Sequence, residues 1–175
     1  MSSPIAAIDS DVLIWLLDTS TTPTAARCKG YIELTIERMD KQNARWVVPV
    51  PVVAELCREG PGSGQLREIT RIALRRLRVE VLDIGAADVA GQIMRMALQA
   101  RAPGRERGAV KFDALIAAIA HKIGARWLLT ANGRDMRAHL SAIDSKVEVV
   151  VATEPPSTGQ TVMLEMLKPE AGSSK

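Results

Sequence analysis

Short segments that are apolar at almost every position recur along this chain, with helical patterns between them. Residues 4–9 read PIAAID, 45–50 RWVVPV, 125–130 ARWLLT and 146–152 KVEVVVA. A strand with one wet face alternates polar and apolar residues, so a strand apolar throughout must be covered on both sides. The stretches between show apolar residues at helical spacing: 11–17, 25–42, the segment after Pro51 that holds Glu55, 65–77, 86–100 and 112–123. NGRDMRAHL turns into a further short helix, and RVEVLDI alternates like an edge strand. Strands and helices alternate, which predicts an α/β fold: a central parallel sheet with helices on both faces.

The 175 residues suffice for one domain with a proper core, and no internal repeat is present. We assign 1–152 to that domain and 153–175, which opens on TEPPSTGQ, to a mobile or accessory tail. Apolar residues at 47% and charged residues at 25% predict a soluble globular protein. The longest apolar runs, VVPVPVVA and ALIAAIA, are too short to cross a bilayer, so no membrane association is expected. No basic-then-apolar leader stands at the start, and Cys28 and Cys57 are too few for a disulfide framework, so the expected setting is the cytoplasm.

The acids carry the chemistry. In open α/β sheets, ligands gather beyond the carboxyl ends of the strands. Asp9 ends the first strand, and Glu55 lies one turn into the helix after the second. Asp113 starts the most apolar helix, and Asp135 closes the turn after WLLT. Carboxylates brought to one sheet edge repel each other unless they bind protons or share a cation. All the candidate donors are hard oxygens, and His121 and His139 lie outside the set, which favours Mg²⁺ or Mn²⁺ over zinc. Such an ion can activate water and orient it against a phosphodiester, so the reaction class is hydrolysis of a nucleic-acid backbone or another phosphate ester. The plainer reading of each acid is helix capping or a solvated helix position. Only the joint pattern favours a metal site.

Four stretches, IDSDVLIWLLD, PVVAEL, KFDALIAAIAHKIGA and LLTANGRDM, together resemble the PIN-domain nucleases, and most of all the VapC-type toxins of bacterial toxin–antitoxin pairs. They span most of the chain from Pro4 to about Val151, in the family's order. The resemblance implies a three-layer PIN-like fold with a central parallel sheet of about five strands. It also implies Mg²⁺-dependent ribonuclease activity, an RNA substrate, inhibition by a small cognate antitoxin, and a homodimer. Asp9, Glu55, Asp113 and Asp135 fall on the family's acidic quartet, and Thr130 and Asn132 on the polar positions that accompany the fourth acid. Three residues depart from the pattern. Asp11 stands where Asn or Ser is usual, Met136 replaces an aromatic, and the glutamate motif lacks a preceding Ser or Thr.

Arg105, Arg107 and Lys111 crowd the loop 101–111 before Asp113 and are candidate RNA phosphate contacts. Arg67, Arg71, Arg75 and Arg78 share one helix face, which reads more simply as a solvated surface. GPGSG lacks the lysine of a phosphate-cradling loop and reads as a linker. Leu34, Ile36 and Met39, with Leu66, Ile69 and Leu77, are either core or a groove for a partner helix. Two rival readings remain at this level. AAIDSDV also resembles the opening of haloacid-dehalogenase-type phosphatases, with Asp9 as nucleophile and Asp11 as acid/base, but Glu55 and Asp113 are then unexplained. Alternatively, a PIN-like fold could bind RNA or protein without catalysis.

Overall fold

A computed structural model describes residues 3–17, 21–58, 77–99 and 107–155. Its strands are β1 (Ile5–Ile8), β2 (Arg45–Pro49), β3 (Leu77–Glu80), β4 (Trp127–Thr130) and β5 (Glu148–Val151). They form one five-stranded sheet in the order β3-β2-β1-β4-β5, with every pairing parallel. The described helices are α1 (Ser10–Leu17), α2 (Pro23–Asp40), α3 (Val50–Arg58), α4 (Ile84–Gln99), α5 (Arg107–Lys122) and α6 (Gly133–Ser141).

The three central strands are closed to solvent on both faces. Ala6, Ala7 and Ile8 of β1, Val47 and Val48 of β2, and Leu128 and Leu129 of β4 are all buried. Small residues in β1 let helices approach closely, while Val12, Ile32, Val52, Ile93, Ile116 and Ile119 fill the space above and below. No helix among the described residues is long and apolar enough to cross a membrane.

Local chemistry sets the helix ends. Thr22 caps α2 by accepting from the Ala25 amide, with Pro23 at the first helical position. Asp83 caps α4 through the Ala86 amide at 2.7 Å. At the end of α5, Gly124 adopts φ +63° and the Ala125 amide returns to the Ala120 carbonyl at 2.9 Å, a glycine stop that leads straight into β4.

Several boundaries differ from the sequence-based expectation. α5 begins at Arg107 and not at Phe112, so part of the expected polar loop is helical and Asp113 lies in the second turn. Ala109, Val110 and Lys111 support a helix, and the single Gly108 costs only about 1 kcal/mol. Leu77 is the first residue of the edge strand β3 and not the end of a helix, where it pairs with Trp46. Met39 is buried and Ile36 packs against the core, so α2 spends these residues on the fold and not on a partner groove. Leu66, Ile69, the GPGSG segment, Arg67, Arg71 and Arg75 lie outside the described residues, as does the tail from 156 onward.

Candidate active site

The site is built from the carboxyl ends of β1 and β4. Their ladder pairs Ile8 with Leu129, and it continues one step further through the Asp9 amide to the Leu129 carbonyl at 2.9 Å. That register sets Asp9 beside Thr130, and both are buried, at 2% and 0% exposure. Thr130 Oγ1 donates to Asp9 Oδ2 at 2.6 Å. The same hydroxyl accepts from the Asn132 amide at 2.9 Å, which fixes the direction of its proton.

The other Asp9 oxygen faces α1. Asp9 Oδ1 accepts from the Ser10 amide at 2.7 Å and lies 3.3 Å from the Ser10 hydroxyl. Ser10 Oγ also donates to Glu55 Oε2 at 2.6 Å, so one buried hydroxyl ties the end of β1 to α3. This bridge is not evident from the sequence, where Ser10 fits a capping turn equally well. Its one signal is position: a small hydroxyl between two acids at a helix start.

On the far side, Asn132 caps α6 by accepting from the Asp135 amide at 3.4 Å, and its Nδ2 donates to Asp135 Oδ2 at 3.0 Å. Thus the hydrogen bonds run from Glu55 through Ser10, Asp9, Thr130 and Asn132 to Asp135. Asp113 of α5 joins them electrostatically. Its carboxyl is pushed up to about 7, first by burial and then by the negative charges of Asp9, Glu55, Asp11 and Asp135. Asp9 is pushed up to about 6, chiefly by burial and further by Asp11 and Glu55. The Thr130 hydroxyl and the Ser10 amide, which favour the charged form, offset only part of this.

Asp9, Glu55, Asp113 and Asp135 are therefore neighbours, with Asp11, Thr130 and Asn132 among them. The candidate cationic contacts are not gathered in the same way. Lys111 is exposed on α5, two residues before Asp113 and so about 200° round the helix from it. Arg105 and the Arg107 side chain lie outside the described residues.

The donor chemistry suits a hard divalent cation. The oxygens on offer are carboxylates and hydroxyls, and neither histidine contributes to the charge on Asp9 or Asp113. His121 Nδ1 instead meets Ser145 Oγ at 2.9 Å. Among the described residues no three His, Cys, Asp or Glu side chains form a ready ligand cage. The carboxylates stand within electrostatic reach of one another without closing on a point. Burial and mutual repulsion hold two of them, Asp9 and Asp113, well above the usual carboxylate range.

Comparison with known proteins agrees with this architecture. The family model for the PIN domain matches residues 6–139. Among solved structures, one chain of VapBC2 from Rickettsia felis, bound to a DNA fragment from its promoter, superposes with a TM-score of 0.57 at 17% identity. That match covers 83% of this chain and 98% of the other. A chain of the DNA-bound VapBC from Salmonella typhimurium gives a TM-score of 0.57 at 19% identity, with the same coverage of 83% and 98%. No protein of curated function matches in sequence.

Proposed function

The chain belongs to the PIN-domain family, and from that premise we propose that it is a metal-dependent endoribonuclease acting as the toxin of a toxin–antitoxin pair. The observation that carries the proposal is the meeting of Asp9, Glu55, Asp113 and Asp135, from four separate elements, at the carboxyl edge of the sheet. The structural neighbours from VapBC complexes support the toxin assignment and an antitoxin partner. A homodimer working in the cytoplasm completes the reading by family analogy.

Asp9, Glu55, Asp113 and Asp135 would hold Mg²⁺ or Mn²⁺. When bound, the ion supplies a water of lowered pKa and neutralises charge on the phosphate oxygens. Thr130 and Ser10 each hold a different oxygen of Asp9, and Asn132 holds Oδ2 of Asp135. The buried face of the pocket keeps bulk water from Asp9, which strengthens every charge interaction there. Asp11 adds negative charge beside the quartet and raises its demand for a cation. The phosphatase alternative built on Asp9 and Asp11 is not retained, because the family match spans Glu55 and Asp113, which that chemistry leaves idle.

Purified protein should cleave RNA with Mg²⁺ or Mn²⁺, and Asp9→Asn or a chelator should reduce cleavage to background. RNA bound but left intact with either metal would replace this reading by a non-catalytic binding module.

A further inference from the structure

A cleft of about 280 Å³ lies along the outer edge of β5, between α2 and α6. Three arginines from distant parts of the chain line it: Arg38 of α2, Arg126 just before β4, and Arg137 of α6. Among the described residues, the ion pairs Lys41–Glu37 and Arg78–Glu80 involve none of the three. Two carboxylates share the lining, so the guanidinium groups outnumber them by one. Of these, Glu148 already accepts from Trp127 Nε1 at 3.1 Å. The Arg126 guanidinium sits over the Trp127 ring, 4.5 Å from its centroid, a cation–π contact that restrains the group in the cleft wall.

The cleft also offers backbone donors. In the parallel ladder Glu148 and Ala152 donate to Arg126 and Thr130 of the β4 segment, so the alternate amides, Val149 and Val151, point away from β4. Each outward amide is accompanied by its residue's own carbonyl, so the donors that distinguish this cleft for a linear anion are the three guanidinium groups.

One end of the cleft adjoins the acidic cluster. Val151, which lines the cleft, pairs with Thr130, whose hydroxyl holds Asp9. We propose that this cleft is a track for the RNA phosphate backbone, receiving the strand as it leaves the acidic site along β5. The identity of the polyanion rests on the nuclease reading; the anion track itself rests on the arginines. A strand with one phosphodiester at Asp9 runs past one side of the sheet edge, and among the described residues the β5 side gathers three guanidinium groups against two carboxylates. An acidic peptide is the competing occupant, disfavoured by this continuity with the acids.

The test is binding of labelled oligouridylate by the full chain in EDTA, so that nothing is cut, over a range of salt. Each phosphate contact on single-stranded nucleic acid contributes a slope of about −0.7 in log K against log salt. The triple variant Arg38→Ala/Arg126→Ala/Arg137→Ala should therefore lose about 2 from the slope magnitude and bind at least about 10-fold more weakly at low salt. The control triple Arg27→Ala/Lys29→Ala/Arg95→Ala removes the same charge elsewhere and should change the slope far less. Equal slopes for the two triples, an unchanged slope in the first, or no RNA binding by the wild type would each overturn the track. Poly-glutamate that displaces the oligonucleotide at equal charge concentration would assign the cleft to an acidic peptide and overturn it as well. Cleavage is scored separately. A wild type that cuts RNA while its cleft variant keeps the full slope removes the track alone. Cleft-dependent binding without cutting removes the nuclease reading alone.

Discussion

Thr130 Oγ1 reaches Asp9 Oδ2 at 2.6 Å across 121 positions of sequence, both groups lying under the surface at the ends of adjacent strands. The contact is charge-assisted and costs little entropy, because β-branched Thr130 has few rotamers to lose and its proton is steered by the Asn132 amide. Removing it as Thr130→Val keeps the shape and leaves an Asp9 oxygen and the Asn132 amide without this partner. Loss of stability should be about 1–3 kcal/mol in urea denaturation, with Asp9 titrating still higher than about 6 by carbon-detected NMR. Thr130→Ser should restore most of both. A Val variant as stable as the wild type would show that the bond carries no net energy.

Ser10 touches both Asp9 and Glu55, so its removal should act on the carboxylates more than on the fold. Ser10→Ala frees Glu55 Oε2 and leaves the backbone bond to Asp9 in place. Outer partners of metal ligands typically matter about 10- to 100-fold in affinity or activity. The expected outcome is a loss of that size in Mn²⁺ affinity by isothermal titration, with the melting temperature nearly unchanged. An equal drop in both would mark Ser10 as structural only.

Stability without metal should fall as pH rises. Asp9 and Asp113 both titrate above the usual 3.8, near 6 and 7. The folded state thus prefers them neutral: their contribution is complete below about pH 4 and disappears as pH passes through 6 and 7. Thermal melts in EDTA from pH 5 to 8 should show a steady decline, on the order of a few kcal/mol in all. Mn²⁺ should reverse this most strongly at the upper end, since cation and proton compete for the same oxygens. Asp11→Asn removes one source of repulsion and should shrink both effects. A flat melt profile in EDTA would contradict the electrostatic account.

Gly133 begins α6 where there is no room for a side chain. A Cβ there would fall 2.2 Å from Val151 Cγ2 and 3.2 Å from an Arg137 guanidinium nitrogen. Gly133→Ala should destabilise by about 1–3 kcal/mol. Adding Val151→Ala should recover much of it, as measured by chemical denaturation. No recovery would mean that the clash is relieved by moving α6 and not the valine.

The central strands are legible because burial on both faces leaves their middles apolar: Ala6 to Ile8, Leu128 and Leu129 are closed on both sides. The acids were legible because each follows such a strand or lies in a helix packed nearby. The start of α5 was not, since RERGAVK is polar enough for a loop, and the packing of Ala114 and Ile116 to Ala120 extends the helix back beyond them. Ser10 hid in a capping motif, because its second partner, Glu55, comes from another element 45 positions away. The three cleft arginines were missed for the same reason. Arg38, Arg126 and Arg137 form no local run in the sequence and come together only in the folded cleft.

The pairing of Ile8 with Leu129 has one further consequence. Inserting or deleting a single residue within β1 or β4 would barely alter composition or hydropathy, yet it would turn every later side chain of that strand to the opposite face. Asp9 or Thr130 would then point away from its partners while the layers around it could still assemble. A scaffold of this kind tolerates changes of letter far more readily than changes of length.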